Sequence, residues 1–124
     1  MQIRVYYEDT DAGGIVYHSQ FLNFCERDRS EKFFSDGRSP LSDDSGFVVS
    51  SIEAKYKAPA RLGDMLDVHT ELISIKNTAL LLRQSVSRKD TLLFVMDIKL
   101  AYIQNAKIGR LSDKYKEYLK SIFT

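Results

Sequence analysis

Residues 6–18 bring together groups able to do acid–base or nucleophilic chemistry: Tyr7, then Glu8, Asp9 and Asp11, then Gly13-Gly14, then His18. A carboxylate such as Asp11 can attack an electrophilic carbon or take a proton from water. The glycines let backbone approach a ligand with no Cβ in the way. Where the loop runs into a helix near His18, first-turn N–H groups lack intrahelical partners and suit a developing negative charge. The imidazole of His18 is a second candidate base, histidine being the side chain type suited to proton transfer near neutral pH. Each residue also has a plainer use. Asp11 can close an Asx-turn ahead of the glycines, and His18 can cap the helix. Tyr7, at a strand end, can donate a hydrogen bond to Asp11 or simply pack as an aromatic. Glu8 and Asp9 read as loop-solvating charges.

The elements that must hold this loop follow from hydrophobic periodicity. Residues 2–7 alternate as a short strand, with Ile3 and Val5 opposite Arg4. Ser19 can cap a helix over residues 20–36, with Gly37 at its left-handed end and Pro40 beyond. Phe21, Leu22, Phe24, Cys25, Phe33 and Phe34 spread over more than half of its circumference, so it should be covered on several sides. Glu26–Arg29 and Arg27–Glu31 have the spacing to pair on its surface. From Gly46 the period falls to that of a strand. Val48, Ser50, Ile52, Ala54, Tyr56 and Ala58 take one face, and Pro59 and Gly63-Asp64 end the run. Strands over residues 66–72, 79–87 and 91–104, joined by the turns Lys76-Asn77-Thr78 and Lys89-Asp90, extend this into a four-strand meander. Ser112 starts a last short helix with Tyr115, Leu119 and Ile122 on one side. Long antiparallel strands curl because twist accumulates. A broadly apolar helix ahead of them is the natural filling, which makes an α+β domain with a sheet wrapped around a central helix.

Composition narrows the function classes. The 124 residues, 44% hydrophobic and 28% charged, read as one soluble domain over residues 1–124, with no repeat and no linker. A net charge of +1, from 18 basic and 17 acidic residues, gives no reason to expect a nucleic-acid groove. The single cysteine, Cys25, excludes an intrachain disulfide and a Cys-rich zinc site. His18 and His69 lie far apart without metal-ligand spacing, and no phosphate-binding glycine loop with its lysine is present, so no metal or organic cofactor is expected. No apolar run approaches membrane-spanning length and no signal-peptide pattern opens the chain; the cytoplasm is the expected location.

The same loop carries a resemblance. Tyr7-x-x-x-Asp11-Ala12-x-Gly14-x-Val16-Tyr17-His18 is similar to the signature of the 4-hydroxybenzoyl-CoA thioesterase family. That family has the hotdog fold, a long central helix wrapped by a curled five-stranded antiparallel sheet. Val5-Tyr6-Tyr7-Glu8-Asp9-Thr10-Asp11-Ala12-Gly13-Gly14, with Val16-Tyr17-His18 after it, resembles more narrowly the YbgC-type, Tol-Pal-associated acyl-CoA thioesterases of bacteria. Phe24-Cys25-Glu26-Arg27 and Lys57-Ala58-Pro59-Ala60-Arg61-Leu62-Gly63-Asp64 agree with the same pattern.

The resemblance implies an acyl-CoA thioesterase in which coenzyme A is part of the substrate and not a cofactor. Asp11 becomes nucleophile or general base, and a backbone N–H near His18 the donor that polarises the thioester carbonyl. Tyr7 would stand beside the aspartate, with Gly13 and Gly14 along the substrate. The nucleotide would meet a basic residue near the start of the third strand. Lys76 is the nearest match, although Asn77 and Thr78 stand where further cations belong. Lys55, Lys57 and Arg61 make a second basic group. Acyl carrier protein is an alternative thioester donor. A homodimer is implied, made by pairing sheet edges with the site at the subunit interface, and a second dimerisation to a tetramer.

Two other readings use the same fold. One is a non-catalytic protein that binds acyl-CoA or acyl carrier protein, or an envelope-associated scaffold; binding alone has no need of the Asp11 carboxylate. The other is a hotdog dehydratase, which needs a histidine on the central helix, and none follows His18 there.

Overall fold

The computed structural model describes residues 1–124. In chain order come β1 (Gln2–Arg4), a 3-10 turn (Tyr7–Asp9), α1 (Gln20–Phe34), β2 (Ser45–Tyr56), β3 (Met65–Ile75), β4 (Ala79–Arg88), β5 (Thr91–Gln104), β6 (Lys107–Ile108) and α2 (Asp113–Phe123). The strands form one antiparallel sheet in the order β1-β3-β4-β5-β2, with the short β6 added to β5. Leu66 and Val68 of β3, Leu82 and Val86 of β4, and Phe94, Met96 and Ile98 of β5 share a buried cluster with Phe21, Phe24, Cys25 and Phe33 of α1. This is the hotdog architecture, with the helix as the filling. No helix is long and apolar enough to cross a membrane.

The topology departs from a four-strand meander. Only β3, β4 and β5 follow one another; β2 pairs β5 and takes the far edge. The reason lies in residues 57–64. Lys57 and Ala58 N–H groups both donate to the Leu93 carbonyl (2.8 and 3.2 Å), and the Gly63 N–H donates to the Val5 carbonyl at 2.9 Å. With its backbone committed along this path, the segment crosses from one sheet edge to the other instead of turning back as a hairpin. Within β2, a bulge at Ser50 reverses the alternation. Phe47 and Val49, opposite Tyr102 and Leu100, therefore share the inner face with Ile52, Ala54 and Tyr56.

At the other elements, local hydrogen bonds override simple periodicity. β1 ends at Arg4, short of residue 7, because the chain bends into the 3-10 turn, where Asp9 Oδ2 accepts the Tyr6 N–H at 2.9 Å. Asp9 is 3% exposed, so it is no solvating charge. Ser19 makes no side-chain capping bond, whereas Ser112 does cap α2, accepting from the Tyr115 N–H at 3.1 Å. The helix α1 stops at Phe34; Gly37 adopts φ +73° and the Arg38 N–H returns to the Phe33 carbonyl at 3.0 Å. Neither expected ion pair on α1 forms. Arg29 turns inward instead, donating to Gln84 Oε1 at 3.3 Å, and its burial pulls the guanidinium pKa down.

A buried polar seam locks α1 to the sheet. Gln84 Nε2 donates to the Cys25 carbonyl at 2.8 Å and to Thr70 Oγ1 at 2.7 Å, and Thr70 Oγ1 donates to Asp28 Oδ2 at 2.5 Å. Removing one member strands the others. Replacing Gln84 with Leu should lower the unfolding free energy by about 1–3 kcal/mol. Phe34, 53% exposed, should tolerate Phe34→Ala within about 0.5 kcal/mol. Urea unfolding of the two variants tests the contrast, and equal midpoints would remove the seam as a source of stability.

Candidate active site

The loop folds on itself before it reaches α1. The Asp11 N–H donates to the Ile15 carbonyl (3.0 Å) and the Gly14 N–H to the Asp11 carbonyl (3.1 Å), while Thr10 and Val16 form an isolated bridge. This tight reversal requires the left-handed φ of +77° at Gly14. Residues 57–64 brace it from outside. The Val16 N–H donates to the Ala60 carbonyl at 2.8 Å, the Leu62 N–H to the Gly14 carbonyl at 3.2 Å, and Ile15 bridges Arg61. The bracing segment is itself held by Asp64, whose Oδ2 accepts both the Arg61 N–H and the Arg88 guanidinium at 2.8 Å. From the inner side, Asp9 Oδ1 accepts from Gln20 Nε2 at 2.9 Å, tying the loop to the first residue of α1.

A cavity of about 480 Å³ opens between this loop and the end of β2. Asp11, His18, Phe21, Tyr56, Lys57 and Pro59 are among its walls, and most of the lining is apolar. Asp11 is exposed; its Oδ1 accepts the Gly13 N–H at 2.8 Å, the Asx-turn bond, and its Oδ2 makes no hydrogen bond within the chain. The His18 ring leans on Tyr17 with centroids 4.4 Å apart and makes no side-chain hydrogen bond. The backbone N–H groups of His18 and Ser19 also have no partner in the chain, whereas the Gln20 N–H is spent on the Tyr17 carbonyl. One cavity is thus lined by a carboxylate with a free oxygen and by His18, whose N–H is unpaired just before a helix start, with the unpaired Ser19 N–H next along the chain. Such a pairing suits attack on a carbonyl with stabilisation of the oxyanion that forms.

Asp11 and His18 are therefore brought together; the other residues singled out from sequence are distributed differently. Gly13 spends its N–H on Asp11, and a Cβ on it would sit 3.3 Å from Asp11 Oδ1. Gly14 has open space around it. Tyr7 is 81% exposed and lies outside the cavity, its hydroxyl unbonded. Lys76 lies in the β3–β4 hairpin, while the loop lies at the other end of β3, roughly 30 Å away along an 11-residue strand. No group of three His, Cys, Asp or Glu side chains converges anywhere in the chain in a way that could hold a metal ion. Sequence reasoning missed Tyr56, which donates its hydroxyl proton to the His18 carbonyl at 2.8 Å and lines the cavity. Its position as the last inward residue of β2, directly before the Lys57-Ala58-Pro59 run, was the available signal.

A sheet curled around one helix, with a carboxylate and free N–H donors at the helix start, defines a hotdog-fold protein of the thioesterase type. Comparison with known proteins agrees. The Thioesterase superfamily profile matches residues 13–110. The chain is 33% identical to the acyl-CoA thioesterase YbgC of Helicobacter pylori strain 26695, over 98% of this chain and 100% of that one. It is 40% identical to the acyl-CoA thioester hydrolase YbgC of Escherichia coli O6:H1, over 86% and 82%. A solved structure of a probable thioesterase from Bartonella henselae superposes with a TM-score of 0.84 at 29% identity, covering 90% of this chain and 97% of that one. This chain belongs to the thioesterase superfamily.

The positive φ at Gly14 gives a direct test of the loop geometry. Gly14→Ala should lower stability by about 1–2 kcal/mol, although its Cβ meets nothing, because the cost is in the backbone. Thermal unfolding that leaves the midpoint unchanged would mean the loop relaxes to another conformation.

Proposed function

We propose that this protein hydrolyses the thioester of an acyl-CoA to the free carboxylic acid and coenzyme A, with Asp11 as the reacting carboxylate. The observation that carries the reading is that Asp11, with one carboxylate oxygen unbonded, and His18, with its backbone N–H unpaired, line the same cavity. The names of the relatives support the substrate class. As nucleophile, Asp11 would attack the carbonyl carbon, the C–S bond would break, and CoA would leave as a thiolate that picks up a proton; water would then cleave the mixed anhydride. As general base, Asp11 would take a proton from water, and the hydroxide would attack. Both routes pass through an oxyanion at the carbonyl oxygen, and the helix-start N–H groups would serve it. The His18 ring remains available to orient water or accept a proton. Lys57, at the cavity wall, would meet an anionic part of the substrate. An acyl carrier protein, with the same thioester, would use the same chemistry.

Hydrolysis of an acyl-CoA panel by wild type and Asp11→Asn tests this. The expected loss is about 10³-fold or more, the scale of removing a reacting carboxylate. An unchanged rate in the variant would remove Asp11 from the mechanism. Acyl-CoA binding by the wild type with no turnover on any chain length would make the protein a carrier instead.

The assembly reading belongs to the same proposal: a homodimer formed by antiparallel pairing of β2 with itself, and a further pairing to a tetramer. β2 is an edge strand of 12 residues with no outer partner. It exposes Val48, Val49 and Ile52, the last at 38%. A long apolar edge of this kind is a template for another strand. Two-fold pairing about its centre would set the Tyr56 end of one strand, with its cavity, beside the Ser45 end of the other. Loop residues 38–44 of a second copy would then close over the site, and Lys76 could reach bound nucleotide only from a neighbouring copy. Sedimentation should give a dimer or tetramer for wild type, and Val49→Lys with Ile52→Lys should shift it towards monomer. A wild-type monomer at micromolar concentration would count against the assembly.

A further inference from the structure

We infer that Tyr56 is a positioning residue for the oxyanion donors, acting through the His18 carbonyl. The inference rests on the reading of the Asp11–His18 cavity as the reaction site. In the first turn of a helix a carbonyl normally finds the N–H four residues on. His18 lies one residue before the N-cap Ser19, whose carbonyl takes the Leu22 N–H at 3.1 Å, so the His18 carbonyl stands outside the helical ladder and has no partner there. Tyr56 supplies the replacement with a hydroxyl at 2.8 Å, reaching across from the end of β2.

That single bond has consequences for the donors. The His18 carbonyl and the Ser19 N–H belong to one planar peptide unit, so holding the oxygen also holds the N–H. A peptide whose carbonyl already accepts a hydrogen bond is polarised, and its N–H donates more strongly. The His18 N–H sits one peptide earlier on the same short stretch and gains from the same anchor. Donors fixed before the reaction are the ones that lower an oxyanion barrier, since no reorganisation is then required.

The rest of Tyr56 is built to hold the hydroxyl still. Its ring packs edge-on against Phe94 with centroids 5.0 Å apart, and against Phe21 at 5.9 Å. Phe94 is its register partner on β5, and Phe21 is in the first turn of α1, so the ring is gripped by the neighbouring strand and by the helix that His18 precedes. The side chain remains half exposed, at 50%, on the cavity side. Desolvation raises the hydroxyl pKa above its usual value, which keeps the group a donor through the neutral range.

Tyr56→Phe separates this role from packing, because the ring and its contacts are kept. The expected result in acyl-CoA hydrolysis is a fall in kcat of about tenfold with KM within twofold, less than loss of a direct oxyanion donor. The thermal unfolding midpoint should stay where it is. Wild-type kcat in Tyr56→Phe would overturn the inference. So would a rise in KM at constant kcat, which would make Tyr56 a substrate-binding group, or a kcat loss that tracks a lower unfolding midpoint. Asp11→Asn, assayed alongside, keeps the two readings apart. If that variant is inactive while Tyr56→Phe is fully active, only the positioning role fails. Full activity in Asp11→Asn would remove the site itself, and the inference with it.

Discussion

The rotation and register of α1 inside the sheet govern everything else in this molecule, and a polar interaction fixes them. Phe21, Phe24 and Phe33 bury the helix, but apolar contact is non-directional and leaves a helix free to slide or turn by small amounts. Gln84 and Thr70 remove that freedom by reaching the Cys25 carbonyl and the Asp28 carboxylate within 2.8 Å. A buried amide and carboxylate are tolerable only when bonded. Any other register of α1 would bury them unpaired, so the seam discriminates against alternatives more than it adds to stability.

A helix fixed in this way has a fixed beginning, and the chain exploits it. Asp9 spans the Tyr6 N–H and the Gln20 side chain, so the entry to the loop and the start of α1 are held by one carboxylate. The crossing segment at residues 57–64 braces the loop from the other side through Ala60, Leu62 and Arg61, and Asp64 with Arg88 holds that brace to β4. The path that takes β2 away from β3 is thus the one that supports the site. Topology and site geometry follow from the same stretch of backbone.

The central helix, the long strands and the loop were legible in the sequence because each rests on a local signal: an apolar spread at helical period, alternation, and carboxylate next to glycine. What was not legible depends on partners distant in sequence. Asp9 looked like a loop charge, since nothing nearby in sequence announces that Gln20 and Tyr6 will surround it. Alternation assigned Val49 to the wrong face because a bulge at Ser50 is set by pairing with β5, which periodicity cannot see. The strand order was misread for the same reason. Proximity in sequence favoured a β2–β3 hairpin, and only the bonds of residues 57–64 to β5 and to the opening loop exclude it. Tyr56 belongs to this class, being joined to His18 across 38 residues.

The Asx-turn and the chemical use proposed for Asp11 are not competing accounts of that residue. A carboxylate has two oxygens, and the turn occupies one. With Oδ1 held by the Gly13 N–H, the side chain loses its rotamer freedom while Oδ2 keeps its lone pairs. Gly13 is suited to the position because a Cβ there would come within 3.3 Å of the oxygen it holds. The turn therefore orients the carboxylate and leaves its second oxygen free. A similar logic applies at the helix start, where Tyr56 accepts the task of satisfying a carbonyl and leaves the neighbouring N–H groups unspent. In both places a hydrogen bond to one end of a polar unit orders it and keeps its other end available.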